Sequence, residues 1–270
     1  MNTFQKQKAV LPKWEPYDYE IIPIHVMFAY PISKGIFTYT LNYDQSMELH
    51  AGCLFIKGVE GYNILVDSGP TVEDFHSLGF PGEQINPMPK ALKEAVGLMP
   101  EDIDIVIYTQ LHHDHCTLAS LYKNAKSIVQ KDEWDTCHNP PACYRALYNP
   151  KYVEGINPTI VDGDVIELFP GISLLYTPGH TLGSQSIAVD TKEGRVIICG
   201  ICCNEDNFNP ADEFKALWPE VLVPGLHVDN EIAYQNMIRV KREADYIITL
   251  HDKKTFERGV CPSPLWPRYK

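Results

Sequence analysis

The chain has 270 residues, 44% of them apolar and 21% charged, enough to bury a sizeable core as one large domain. Its formal net charge is −12 with no offsetting Lys/Arg cluster, which excludes a phosphate-backbone partner such as nucleic acid. No run approaches about 18 apolar residues and no apolar stretch follows the first lysines, so neither a membrane span nor a secretory leader is expected. Eight cysteines are scattered without a small-domain disulfide framework, which fits a reducing cytoplasm.

In chain order, residues 1–20 are polar and aromatic, with Pro12 and Pro16, and read as an arm laid over the core. Ile21 to Tyr30 is predicted as a strand, with His25 a packed residue rather than a ligand. Cys53–Lys57 and Tyr62–Asp67 flank Gly58-Val59-Glu60-Gly61 and predict a hairpin. Its second strand ends at Asp67, which is either a turn former or an acceptor that orients a ligand. Pro89 to Val96 has helical character and stops at Gly97.

Ile103 to Tyr108 then reads as a buried strand running into Thr109-Gln110-Leu111-His112-His113-Asp114-His115-Cys116. Three imidazoles and a carboxylate in one strand-to-helix loop repel when protonated and gain little from one another when neutral. They are the donors a borderline divalent cation prefers, and the loop is predicted to hold a metal. Ser127 to Gln130 is a further strand. Residues 133–159 are Pro-rich and aromatic without periodicity, and read as an inserted excursion over a substrate pocket, with Trp134, Tyr144, Tyr148 and His227 as candidate pocket residues.

Val165–Leu168 and Ile172–Tyr176 are strands, the second leading into Thr177-Pro178-Gly179-His180. Gln185–Asp190 and Arg195–Gly200 continue the sheet. Glu231–Glu243 is an amphipathic helix, and Tyr246–Leu250 is a last strand that delivers His251-Asp252. Asp252, like Asp67, is a candidate support for a ligand. His50, His76, His113 and His138 are read as non-ligands.

Asp67-Ser68-Gly69, the Asp114-His115 loop, Thr177-Pro178-Gly179-His180 and a late strand ending in His251 occur in an order that resembles the metallo-β-lactamase superfamily across roughly residues 50–252. With Pro224 to Asp229 ahead of the last helix, the chain is most similar in look to the N-acyl-homoserine lactonase and pyridoxolactonase branch. The resemblance implies a single α/β domain built as an αββα sandwich, with metals at one edge between two sheets. It implies a first site of Gln110, His112 and His180 and a second of Asp114, His115 and His251, with Asp114 also orienting or accepting a proton from water.

Two positions depart from the family pattern. Gln110 stands where the motif has its first His, and no Asp follows the strand ending at Gly200; Ile201 takes that place, and Asn204 the place of the lactonases' Tyr. Cys202 is then either a further ligand or a small core residue, and Glu205 and Asp206 are further candidates. The implied activity is metal-dependent hydrolysis of a small carbonyl compound (lactone, cyclic amide or ester), with one or two zinc ions, or iron or manganese instead, in a monomer or a homodimer. The competing readings are a non-catalytic binding or regulatory protein on a degenerate site, and redox chemistry at a non-haem iron.

Overall fold

Alternation along the strands sends one set of side chains between two sheets and the other set outwards. The structure, a computed structural model, describes residue 6 and residues 8–270. The first sheet contains β1 (Glu20–Ser33), β2 (Ser46–Lys57), β3 (Ile64–Val66), β4 (Gly82–Gln84), β5 (Ile105–Ile107), β6 (Lys126–Gln130) and β7 (Asn157–Val161), in the order β4-β1-β2-β3-β5-β6-β7. The second contains β8 (Val165–Phe169), β9 (Ile172–Tyr176), β10 (Gln185–Thr191), β11 (Gly194–Cys199) and β12 (Tyr246–Thr249), in the order β12-β11-β10-β9-β8. The helices are α1 (Val72–Ser77), α2 (Lys90–Val96), α3 (His113–Cys116), α4 (Lys131–His138), α5 (Glu205–Phe208), α6 (Asn230–Glu243) and α7 (Lys253–Arg258).

Ile56, Val66 and Ile107 of the first sheet meet Leu174, Ile187 and Ile198 of the second in the central core. The opposite faces are covered separately. Leu65 and Val106 pack with Ala91 and Leu92 of α2, and Ala188 and Ile197 pack with Met237 and Val240 of α6. This is the αββα layering expected from the sequence. Strands β9, β10 and β11 are buried along their whole length, hence their near-continuous apolar runs.

The expected strands and the helices at 89–96 and 231–243 are present, with shifted ends. The excursion at 133–159 is more regular than expected: it overlaps α4 and ends in β7, which pairs parallel with β6. β7 is an edge strand that is mostly exposed and contains Pro158, so it offers no apolar alternation to read. Of the N-terminal arm, residues 1–5 and 7 lie outside the described residues. Farther along it, Leu11 is buried under the second sheet's helical face, and Arg195 donates to the Pro12 carbonyl at 2.8 Å.

His25 packs in β1 as expected, stacked on Phe256 of α7 at 4.2 Å between centroids, with Nε2 2.9 Å from Nδ1 of His50. Burial, assisted by His50, pushes the His25 imidazole from 6.5 down to about 4. Between those values the unfolded chain takes up a proton that the folded chain refuses. Stability of the metal-free protein is therefore expected to fall as pH drops from about 6.5 to about 4, and His25→Gln should remove part of that fall. Urea midpoints at several pH values measure it, and an unchanged slope in the variant would contradict the account.

Candidate metal centre

The loops after β3, β5, β9, β11 and β12 meet at one edge of the sandwich. Gln185 of β10 fastens the loop after β5 to the second sheet: its backbone N–H donates to Thr109 O at 2.8 Å and its side-chain amide to Tyr108 O at 2.7 Å. Opposite, His50 of β2 and His251 are joined by a main-chain hydrogen bond of 3.2 Å. Gly179 lets the His180 loop lie against α6, because a Cβ there would sit 2.5 Å from the Ala233 backbone.

These connections bring Asp114, His115 and His251 together, one donor atom from each lying within 4.8 Å of the others. Asp114 Oδ2 is 3.5 Å from His115 Nε2 and 3.4 Å from His251 Nε2. Beside them His112 and His180 stand perpendicular at 4.9 Å between ring centroids. Gln110 donates from Nε2 to His115 Nε2 at 3.0 Å, and its Oε1 is buried without a partner.

Three rings are fixed from behind by acceptors. His115 Nδ1–H donates to Asp67 Oδ2 at 2.7 Å, His180 Nδ1–H to Leu226 O at 2.7 Å, and His251 Nδ1–H to His50 O at 3.3 Å. Because a carboxylate or carbonyl only accepts, each Nδ1 carries the proton and each Nε2 is the cation-facing nitrogen, that of His115 being shared with the Gln110 amide. Asp67 also accepts from Thr109 N and Oγ1, and reaches this position with φ of 60°. That left-handed backbone is unusual for a non-glycine residue at a strand end.

The electrostatics follow from burial opposed by mutual charge. Burial would raise the Asp114 carboxyl, but His115 and the other imidazoles hold it below the ordinary carboxylate range. His115 is pushed up to about 9: burial opposes this, but Asp114 and Asp67 outweigh it. Burial lowers His180 and His251 to about 4, and burial with His180 nearby lowers His112 as well. Four imidazoles crowded around one ionised carboxylate, with an orphaned amide oxygen next to them, are a donor set that fits a divalent cation.

A cleft of about 500 Å³ opens over Asp114, His112, His180 and His251, walled by Ile32, Ile36, Leu49, Phe75, Phe80 and Leu226. The structure does not bring every expected residue to it. Trp134 stacks on His138 at 4.4 Å, Tyr144 donates to the His227 carbonyl at 2.6 Å, and His227 folds back on Pro224 O at 2.7 Å. None of the three lines the cleft; Leu147 is what the excursion contributes. Tyr148 packs edge-on against His112 at 4.6 Å, behind the site. Asp252 caps α7 through Lys254 N and accepts from Glu205 N, touching no ligand side chain.

Sequence reasoning missed Glu133. Its buried carboxylate accepts from Leu111 N, Tyr148 Oη, Thr181 Oγ1 and Gly183 N at 2.6–3.1 Å, and so ties the loop bearing Asp114 to the loop bearing His180. Burial raises its pKa while those donors oppose the rise. A Cβ at Gly183 would lie 2.1 Å from Glu133 N, so only glycine allows this approach. The only signal in the sequence was an acidic residue in the first turn of a short helix.

Residues 50–200 match the family model described as the metallo-beta-lactamase superfamily. An N-acyl homoserine lactonase of Bacillus cereus is 30% identical over 216 residues, 75% of this chain and 79% of the relative. The chain belongs to the metallo-β-lactamase superfamily. The crystal structure of a quorum-quenching N-acyl homoserine lactone lactonase superposes with a TM-score of 0.70 at 23% identity, covering 91% of this chain and 96% of that one. AidC, a dizinc quorum-quenching lactonase in complex with its product, superposes with a TM-score of 0.65 at 15% identity, covering 97% and 96%. Within this superfamily the protein is a metal-dependent hydrolase acting on a small molecule.

Against the superfamily pattern, Ile201 packs into the apolar layer beneath α6, and Cys202 is the residue of that loop that lines the cleft. Cys202 also packs with Val26, Met27 and Leu49, and its sulfur lies outside the tight group formed by Asp114, His115 and His251. Burial raises its pKa, and Asp114 adds to the rise.

Glu133→Ala would strand four donors in the interior. We expect a loss on the order of 2–4 kcal/mol in urea unfolding, with weaker metal retention because the two ligand loops separate. A variant with wild-type stability and metal content would show that the carboxylate ties nothing together.

Proposed function

We propose that the protein hydrolyses a lactone, with cyclic amides and simple esters as related substrates, using zinc held first by Asp114, His115 and His251. The observation that carries this reading is the convergence of those three side chains at the base of an apolar cleft. The N-acyl homoserine lactonase relatives support a lactone as the carbonyl substrate. Gln110, His112 and His180 form the second, weaker set, because a neutral amide oxygen stands where an imidazole would donate and no bridging carboxylate is present.

When bound, the cation lowers the pKa of its water and polarises the scissile carbonyl. Asp67, His50 and Leu226 hold His115, His251 and His180 with Nε2 inward, so these rings need not turn, and only the Gln110 amide must release His115 Nε2. Asp114 stays ionised and accepts a hydrogen bond from the attacking water, which sets its direction. Ile32, Phe75, Phe80 and Leu226 exclude bulk solvent from the carbonyl. The arrangement retains five charged or imidazole ligands, and no observation favours the non-catalytic alternative.

Metal analysis with a panel of lactones, a cyclic amide and an ester tests the proposal. Purified protein should carry about one equivalent of zinc, and His115→Ala should abolish both metal and turnover. Gln110→His should raise zinc toward about two equivalents; unchanged content in that variant would refute the weak-site argument. Protein saturated with zinc that turns over no carbonyl substrate would refute the hydrolase assignment.

A further inference from the structure

We propose that Tyr148 is a positioning residue for the weaker metal set, holding the His112 ring by edge-on packing where the other imidazoles are held by hydrogen bonds. This rests on the two-set metal reading above and deepens it by naming what governs the second cation.

His115, His180 and His251 each donate from Nδ1 to a fixed acceptor behind the ring. His112 differs. It takes an extended backbone (φ −65°, ψ 156°) ahead of α3, its side chain does not cap that helix, and among the described residues no hydrogen bond reaches its ring. An imidazole without such a partner turns about its side-chain bonds unless packing stops it. Two rings do so: His180 at 4.9 Å and 89°, and Tyr148 at 4.6 Å and 65°. His180 belongs to the same ligand set, which leaves Tyr148 as the support from outside it.

The chain keeps Tyr148 in place from three sides. It lies in extended backbone (φ −113°, ψ 134°) between two short 3₁₀ turns, Arg145–Leu147 and Pro150–Val153. Pro150 opens the second turn, and the Asn149 side chain caps it by accepting from Lys151 N at 3.2 Å. The phenol is buried, and its Oη donates to Glu133 Oε1 at 3.1 Å. The same oxygen accepts from Leu111 N at 2.9 Å. One carboxylate oxygen therefore fixes both the backbone entering His112 and the ring that packs on its imidazole.

The consequence is selective. His115 and His251 are steadied elsewhere, by Asp67 and the His50 carbonyl, with Phe37 edge-on against His251 at 6.1 Å. Loss of the Tyr148 ring should thus weaken the second cation and spare the first. An edge-on aromatic contact shifts an equilibrium by roughly twofold to tenfold, which sets the size of the effect.

Calorimetric zinc titration of protein carrying its first equivalent reads the second. Tyr148→Met, which fills the space without an aromatic edge, should weaken the second equivalent by about three- to tenfold and leave the first unchanged. Tyr148→Phe, which keeps the ring and drops only the bond to Glu133, should stay within about twofold of wild type. Tyr148→Leu stands in if the Met variant does not fold. An unchanged second affinity in Tyr148→Met, equal weakening of both equivalents, or a loss in Tyr148→Phe as large as in Tyr148→Met would each overturn the assignment.

If wild type takes up no second zinc, the two-set reading fails by itself and imidazole NMR of the purified protein decides the role of Tyr148. One ordered His112 ring in wild type and Tyr148→Phe that becomes averaged in Tyr148→Met would uphold it. A His112 ring unchanged in Tyr148→Met would overturn it.

Discussion

Four imidazoles and one carboxylate held out of water at a single edge are the constraint the rest of the fold must satisfy. Burial disfavours every charge there, yet Asp114 stays ionised and His115 is pushed up to about 9, while His180 and His251 fall to about 4. The orientation of His115, His180 and His251 is set by groups in other parts of the fold. His251 depends on a carbonyl of β2, His180 on the carbonyl of Leu226, and His115 on a carboxylate at the end of β3. A one-residue slip of β2 would turn His50 to the other face and release His251, so strand register and site geometry are one property.

The candidate ligands were legible because their chemistry is local: four of them lie within six consecutive residues, and the others follow strand ends. The supports were not. Glu133 meets partners 15 to 50 residues away, two of them backbone N–H groups, and nothing periodic marks such a residue. The pairing of His113 with Asp74 spans 39 residues and was equally hidden. Aromatic composition suggested a pocket wall for Trp134, Tyr144 and His227, but composition cannot say which way a side chain faces. Tyr144 and His227 satisfy each other outside the cleft, and Leu147, an unremarked aliphatic residue, faces it. Asp252 was read as a ligand's support on its neighbourhood alone, and its carboxylate instead answers the free N–H groups at the start of α7.

The departures from the family pattern alter charge more than shape. Replacing the first His by Gln110 exchanges a strong donor for a neutral amide, and Ile201 removes a carboxylate that would have been shared. Ile201 is turned into the layer under α6 and Cys202 toward the cleft. The result is a more apolar floor beside the ligands and a deficit of negative charge around any dication they hold.

That deficit gives Asp67 a larger part than a supporting acceptor usually has. It lies one imidazole away from the donor atoms, and its hydrogen bond makes His115 a more basic ligand. Its carboxylate is fully buried and additionally held by Thr109 N and Oγ1, so its charge cannot be answered by water. Charge held this close in a low-dielectric interior acts across the ring on whatever cation His115 binds. The left-handed backbone at Asp67 is the cost of aiming that carboxylate from a strand end, and with only Asp114 in direct reach the chain needs it there.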